Sequence, residues 1–258
     1  MSDSFDALRP YLKRRDRLYH IISLLNYDLS TATPQAGLSD QGELVNSLAG
    51  EAAAIYKEPS FIEAVKKAHE ANDLNRRQKA VVDKLYEEIE FYEKVDLETY
   101  MGWMEAISKS NEIWRSAKAN NDFALFLPYW EKAVAAAKEM ALVRKKDIHK
   151  SLYDVCLDQY EKGLTSEKLD AIFAPLKDFL VSSLPLVLEK QERVPLVKIP
   201  FIKADRQRAF SYDVINLIGY DLNRGVMRES MHPFTDCPAK DDVRITTRIL
   251  EEDFRSNL

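Results

Sequence analysis

The sequence predicts a mainly α protein: a long-helix bundle with a small antiparallel β-sheet near the C-terminal end. Three observations predict it. Only 7 glycines and 10 prolines occur among 258 residues, too few turn formers for many short strands. Apolar residues recur at helical spacing through most of the chain as far as Glu192. Near the end, Val243, Ile245 and Thr247 alternate with Asp242, Arg244, Thr246 and Arg248, which is the period of a strand.

The elements follow in order. Phe5 to Leu29 reads as a helix, with Phe5, Leu8, Leu12, Tyr19, Ile22 and Leu25 on one stripe. Pro34 and Gly37 break it. A second helix starts near Ser39, a suitable N-cap, and runs to Tyr56. Pro59 opens a third through Phe61, Ile62 and Val65. Leu74 to Ala119 holds no proline and one glycine, Gly102, and predicts one very long helix or two nearly collinear ones. Asn120 and Asn121 then turn the chain, and Asp122 caps a helix that reaches Arg144. Asp147 to Tyr160 follows and ends at Gly163. Thr165 or Ser166 caps another helix, with Glu167 in the first turn where the dipole favours an acid. Pro175 and Pro185 within that pattern predict a kink or a break.

The character changes after Glu192. Val194 to Ile202 reads as extended, around Pro195 and Pro200. Asp205 to Leu217 returns to helix, with Gly219 at its C′ position. Tyr220 to Ile249 is strand and loop, with Arg224 to Glu229 as partner of the alternating strand. Leu250, Phe254 and Leu258 begin a new helical stripe. The expectation is one domain over 1–258: a helical body over 1–192, then a sheet-containing wall and the start of a helix over 193–258.

Composition narrows the class. Hydrophobic residues make up 46% and charged residues 31%, values of a globular protein rather than a disordered one. The net charge of −5 comes from interspersed signs, with no basic block to bind nucleic acid. Cys156 and Cys237 share no metal or redox spacing and read as free thiols of a reducing compartment. Met1 to Pro10 has no apolar core of a secretion signal. Apolar runs such as Phe179 to Leu188 are short and interrupted for a bilayer span. A soluble cytoplasmic protein with no membrane partner is the expectation.

Few residues carry chemistry. The four histidines are His20, His69, His149 and His232, and no HExxH occurs. Nor is there a G-x-S-x-G elbow, a phosphate-cradling glycine loop or a dinucleotide fingerprint. His20, His69 and His149 lie in helical patterns and read as ordinary helix residues. One stretch differs. His232-Pro233-Phe234-Thr235 is followed closely by Asp242-Val243-Arg244-Ile245-Thr246-Thr247-Arg248. Pro233 restricts His232 to extended backbone, from which its ring can reach a cleft. Asp242, Arg244 and Thr246 share one face of the strand, where an Asp–Arg pair can be bidentate. On these residues alone, two roles stand: holding a loop against the sheet, or contacting a substrate.

His232-Pro233-Phe234 with Asp242-x-Arg244-x-Thr246 resembles two signature motifs of the Taq-type zinc metallocarboxypeptidases. Upstream segments agree in order: Leu24 to Asp28 with Pro34, Trp114 with Ala117, Asp122-Phe123, Phe126-x-Pro128-Tyr129, Tyr153 to Glu161, Gly163-Leu164-Thr165, and Gly219-Tyr220-Asp221 leading to Gly225. Tyr27 stands where that family usually has Trp. The resemblance implies a largely helical enzyme with a long cleft and a small sheet along its wall. It implies removal of C-terminal residues from peptide substrates by a zinc or cobalt ion, usually in a homodimer. Two histidines of an HExxH helix and a downstream glutamate hold that metal, and the motif's glutamate is the general base. No matched position here is a ligand or the base. What carries over is the substrate-side wall: His232, Pro233, Phe234, Asp242, Arg244 and Thr246. The expectation is a portion of such an enzyme, inactive alone, whose partner is a missing C-terminal half or a homo-oligomer. The alternative is a non-enzymatic helical binding or oligomerisation module. The reading as a portion of an enzyme leaves apolar surface exposed where the other half is absent, so self-association or poor solubility is expected of it.

Overall fold

The computed structural model describes residues 3–195 and 197–257. Ten α-helices and three strands are assigned among them. The helices are α1 (Asp3–Asp6), α2 (Arg9–Thr31), α3 (Leu38–Ile55), α4 (Pro59–Glu70) and α5 (Arg76–Tyr92). Next come α6 (Leu97–Ala119), α7 (Phe123–Arg144), α8 (Leu152–Tyr160), α9 (Ser166–Glu192) and α10 (Ala204–Leu217). The strands are β1 (Gly225–Glu229), β2 (Thr235–Ala239) and β3 (Asp242–Thr247). The chain divides into two compact units, Met1–Ser108 with Ile199–Leu258, and Lys109–Lys198.

In the first unit the core lies under α3, α4 and α5. α4 starts at Pro59, whose fixed φ suits a first turn and whose missing N–H needs no partner there. Phe61, Val65 and Ala68 fall on one stripe of that helix and are fully buried. Opposite them, α5 buries Val82, Leu85 and Ile89 at the same spacing. A capping box starts α5: Asn75 Oδ1 accepts from the N–H groups of Arg77 and Gln78, and the Gln78 side chain accepts from the Asn75 N–H. Aromatic rings fill the remaining volume. Tyr11 and Tyr56 sit 5.1 and 5.8 Å from Phe61, and Tyr56 stacks on Tyr92 at 4.9 Å. The expected N-terminal helix is interrupted at Ala7 and Leu8, and α2 begins beyond them with a proline in its first turn. Tyr19, expected on its apolar stripe, is 46% exposed. The 74–119 segment resolves into two helices, α5 and α6, parted at Glu93–Asp96.

The sheet corrects the expected antiparallel arrangement. Its order is β1-β3-β2, with β3 parallel to β1 and antiparallel to β2. β1 is the partner expected at 224–229, but Ser230–Phe234 and β2 intervene before β3, so the chain returns in the same direction. β2 itself was not anticipated. It carries Pro238, which has no N–H to give; a register shift between Asp236 and Ala239 and an edge position accommodate it. After β3 the expected helix does not form. Gln207 Nε2 on α10 donates to the carbonyls of Ile202 and Leu250, both at 2.8 Å, and the Ile202 N–H donates to the Glu251 carbonyl at 2.9 Å. These contacts take the carbonyls that a helix would spend on residues four further on. A 3₁₀ turn over Phe254–Asn257 replaces it, and Leu258 lies outside the described residues.

The second unit is built from the end of α6 with α7, α8 and α9. The caps read from the sequence at Asp122 and Thr165 hold, and Ser151 adds a cap that was not anticipated. The Asp122 carboxylate accepts from the Leu125 N–H, the Ser151 hydroxyl from Asp154 N–H, and the Thr165 hydroxyl from Lys168 N–H. The expected start of α8 at Asp147 shifts to Leu152, behind the Ser151 cap. α9 runs unbroken through Pro175 and Pro185. Each proline forfeits the helix bond to Ala171 or Val181, and both of those residues are exposed. An 18-residue window of this 27-residue helix has a mean hydropathy of 1.6, so by length and composition alone α9 could cross a membrane. The sequence expectation was drawn from shorter apolar runs such as Phe179 to Leu188, which lie inside this helix.

Two outcomes follow. Phe61→Ala removes a fully buried ring and is expected to cost about 3–5 kcal/mol in urea unfolding. In the second unit the Asp154 carboxylate accepts from the Ser166 hydroxyl and N–H, which holds it down to about 2 from the ordinary 3.8. A depressed carboxylate contributes its stability above the unfolded value and loses it as pH falls toward the folded one. Thermal melts of the wild type should therefore weaken between about pH 4 and 2. Asp154→Ala should flatten that part of the profile.

Candidate functional site

β3 is the central strand, paired on both sides, so its backbone is held at every residue. Alternation puts Asp242, Arg244 and Thr246 on one of its faces, as the sequence pattern required. Arg244 Nε donates to Asp242 Oδ1 at 2.8 Å and Nη2 donates to Oδ2 at 2.9 Å. This is the fork-to-fork geometry that fixes a guanidinium in one plane. The two side chains are 25% and 29% exposed. The Arg244 bonds hold the Asp242 carboxyl below its ordinary range, and the same bonds keep Arg244 firmly charged.

A helix completes the seat. The Tyr27 ring of α2 lies 5.2 Å from Arg244 Cζ, a cation–π distance, and is 98% buried by the sheet and α2's neighbours (2% exposed). Burial pushes the Tyr27 hydroxyl up, and it approaches the Ile245 carbonyl at 3.4 Å. One turn earlier, Ser23 donates to the Asp236 carboxylate on β2. α2 is thus tied to β2 and to β3, and Arg244 sits between an acid and a ring.

Thr246 organises the other motif. Its hydroxyl oxygen accepts from the Phe234 N–H at 2.8 Å, and its own N–H donates to the Phe234 carbonyl at 2.9 Å. Ser230 Oγ lies 2.7 Å from Thr246 Oγ1 and donates to the His232 carbonyl at 2.9 Å. The Phe234 ring meets Tyr27 edge-on, with centroids 5.9 Å apart. His232 and Pro233 stand exposed at the apex of this loop. All six residues singled out from the sequence therefore gather on β3 and the loop before β2. His232 enters the hydrogen-bond network through its backbone carbonyl.

The structure adds residues that the motifs did not include. Ser23 and Ser230 had no sequence signal. Tyr27 lay within a matched segment but was noted only as a departure from Trp. Tyr220 had a readable signal in the Gly219-Tyr220-Asp221 to Gly225 spacing. Gly219 takes a φ of +78°, turning the chain out of α10. The Tyr220 hydroxyl then donates to the Val243 carbonyl at 2.6 Å, beside the Val226 carbonyl at 3.2 Å. A Cβ at Gly225 would collide with the Tyr220 hydroxyl and the Val243 carbonyl, so only glycine allows β1 to lie against β3 here.

Among the described residues no group of three or more His, Cys, Asp or Glu side chains is placed to hold a metal ion. The site offers a fixed cation, an ordered loop and an aromatic floor.

The comparisons with known proteins bear on this geometry. The family model described as carboxypeptidase Taq (M32) metallopeptidase matches residues 7–258. The chain is 30% identical to carboxypeptidase 1 of Bacillus subtilis over 250 residues, covering 95% of this chain and 49% of that one. It is 28% identical to thermostable carboxypeptidase 1 of Pyrococcus furiosus, covering 98% and 52%. The crystal structure titled BsuCP superposes with a TM-score of 0.87 at 29% identity, covering 98% of this chain and 51% of that one. Metallocarboxypeptidase 1 of Trypanosoma cruzi does so at 0.85 and 25%, covering 100% and 52%. The chain spans about half the length of these relatives. A motif pair brought together on β3 and the loop before β2, a helical body of the same fold and a match over nearly the whole chain lead to one assignment: the chain belongs to the carboxypeptidase Taq (M32) metallopeptidase family.

Proposed function

We propose that this chain supplies the substrate-side portion of a metallocarboxypeptidase that releases C-terminal residues from peptides. One observation carries the reading: the chain matches the family from residue 7 to 258, yet spans about half of its relatives and lacks a metal-holding donor group among its described residues. The described residues do not fit the family's metal, so no bond-breaking step is assigned to them. The ligands and the general base belong to the remaining half of a family-length enzyme, which would carry zinc or cobalt.

In this reading His232, Pro233, Phe234, Asp242, Arg244 and Thr246 form a wall of the peptide cleft. Arg244 orients the terminal carboxylate of the peptide. Asp242 holds two of its N–H groups, which leaves Nη1 outside that pair for a second planar partner. Tyr27 fixes the ring face against which the guanidinium rests. Residues 1–258 act as one portion of the larger fold, inactive alone, in a cytoplasmic homo-oligomer.

The direct test is an assay of C-terminal residue release from an N-blocked dipeptide. The chain by itself is expected to give no turnover and, after dialysis, well below one zinc per chain. Joined to the half that it lacks relative to the family, it is expected to turn over and to bind metal. One tightly held ion in the isolated chain would overturn the reading. In the completed enzyme Arg244→Ala should lower kcat/KM by on the order of 10²-fold, because a lost bidentate contact misplaces the substrate. Metal content should stay unchanged. Unaltered kcat/KM would leave Arg244 a purely structural residue.

A further inference from the structure

The second unit contains a helix whose residues are exposed along most of its length. From Asp170 to Glu192 of α9 every residue except Ser183 is exposed. Phe173, Leu176, Leu180, Leu184 and Val187 recur at spacings of three and four, so they form one continuous stripe. Each is about half exposed or more, between 49% and 56%. Phe179, at 63%, widens the stripe on one side. A soluble helix with so wide an apolar arc is ordinarily buried. The residues this unit does bury on its other helices are small, such as Ala117, Ala136, Ala141 and Val155. The unit is a helical layer without the second layer that an apolar face requires.

Two occupants could supply that layer, a lipid bilayer or polypeptide. The sequence of α9 favours polypeptide. Lys177 and Asp178 sit midway along it, where hydrocarbon penalises charge heavily. The spacing of the stripe is that of a helix-on-helix seam. The family comparison supplies the source. α9 lies inside the span that superposes on the BsuCP structure, which is about twice as long as this chain. A family-length protein therefore has a comparable length of chain with which to cover this face.

We propose that the apolar stripe of α9 is the docking surface for the half of the family fold that this chain does not match, whether that half is continuous with it or a separate polypeptide. The inference rests on the reading of this chain as one portion of a larger fold. It names which helix receives the other portion.

The test uses the intact 258-residue chain. The probes are the unmatched halves of B. subtilis carboxypeptidase 1 and P. furiosus thermostable carboxypeptidase 1. Binding is followed by analytical ultracentrifugation and by hydrogen exchange along α9. A 1:1 complex is expected with at least one probe, with slowed exchange over 173–187. Phe173→Glu with Leu180→Glu, both on an exposed helix face, should weaken binding by ten-fold or more. Ile148→Glu, the same apolar-to-acid substitution at a residue 78% exposed outside α9, should leave it unchanged. Failure of both probes to bind would overturn the proposal. So would binding without α9 protection, or binding indifferent to the double substitution. So too would partition of α9 into phosphatidylcholine vesicles in preference to the probes, or a self-dimer through α9 that neither probe displaces. Peptidase activity restored without α9 protection would sink the docking surface and leave the proposed function standing. An α9-dependent complex without activity would do the reverse.

Discussion

Most of what the candidate site can do depends on the rigidity of β3. The strand is bonded on both sides, so the positions of Asp242, Arg244 and Thr246 relative to one another are set by the pleat rather than by side-chain choice. Given that frame, the carboxylate meets the guanidinium with two bonds, and Thr246 closes the preceding loop through its hydroxyl and its amide. The magnitude of the ion pair indicates its role. A pair a quarter exposed contributes about 0–1 kcal/mol to folding. Its consequence is direction: it aims a charge, and the Tyr27 ring limits how far that charge can swing.

The two units obtain their stability by different means. The first buries large side chains completely, Leu8, Ile55, Phe61, Val65, Val82 and Ile89 among them, each worth roughly 1.5–3 kcal/mol of transfer free energy. The second buries little beyond alanines and Val155, and relies on caps at Asp122, Ser151 and Thr165. Caps are worth about 1 kcal/mol each and define helix starts without fixing what the helices pack against. A helix as apolar as α9 in that setting is incomplete by itself. The same chain thus combines a well-buried core with a helix whose apolar stripe is exposed.

What the sequence revealed and concealed follows from the range of the forces involved. Helix starts at Pro59, Asp122 and Thr165 were legible because a cap acts within one turn. β3 was legible because its alternation is strict over six residues. β2 was not, since Thr235–Ala239 is short, holds Pro238 and has no apolar period. The parallel pairing of β1 with β3 was also hidden, because strand direction depends on the hidden strand between them. The Leu250–Leu258 stripe had helical spacing, but Gln207 and Ile202, more than forty residues away, captured the carbonyls a helix needed.

The sequence by itself determined the mainly helical class, most helix boundaries, the strand that bears Asp242, Arg244 and Thr246, and the motif pair that marks the family. Each of these rests on propensity, capping or periodicity, which act over a few residues. Only the tertiary structure decided that His232-Pro233-Phe234 is fastened to Thr246, that Arg244 rests on Tyr27 from a helix some 200 residues earlier, and that Gly225 must lack a side chain. It also decided which apolar stripe is left uncovered. Contacts of that kind join residues distant in the chain, and a local pattern cannot distinguish a face that will be buried from one that awaits a partner.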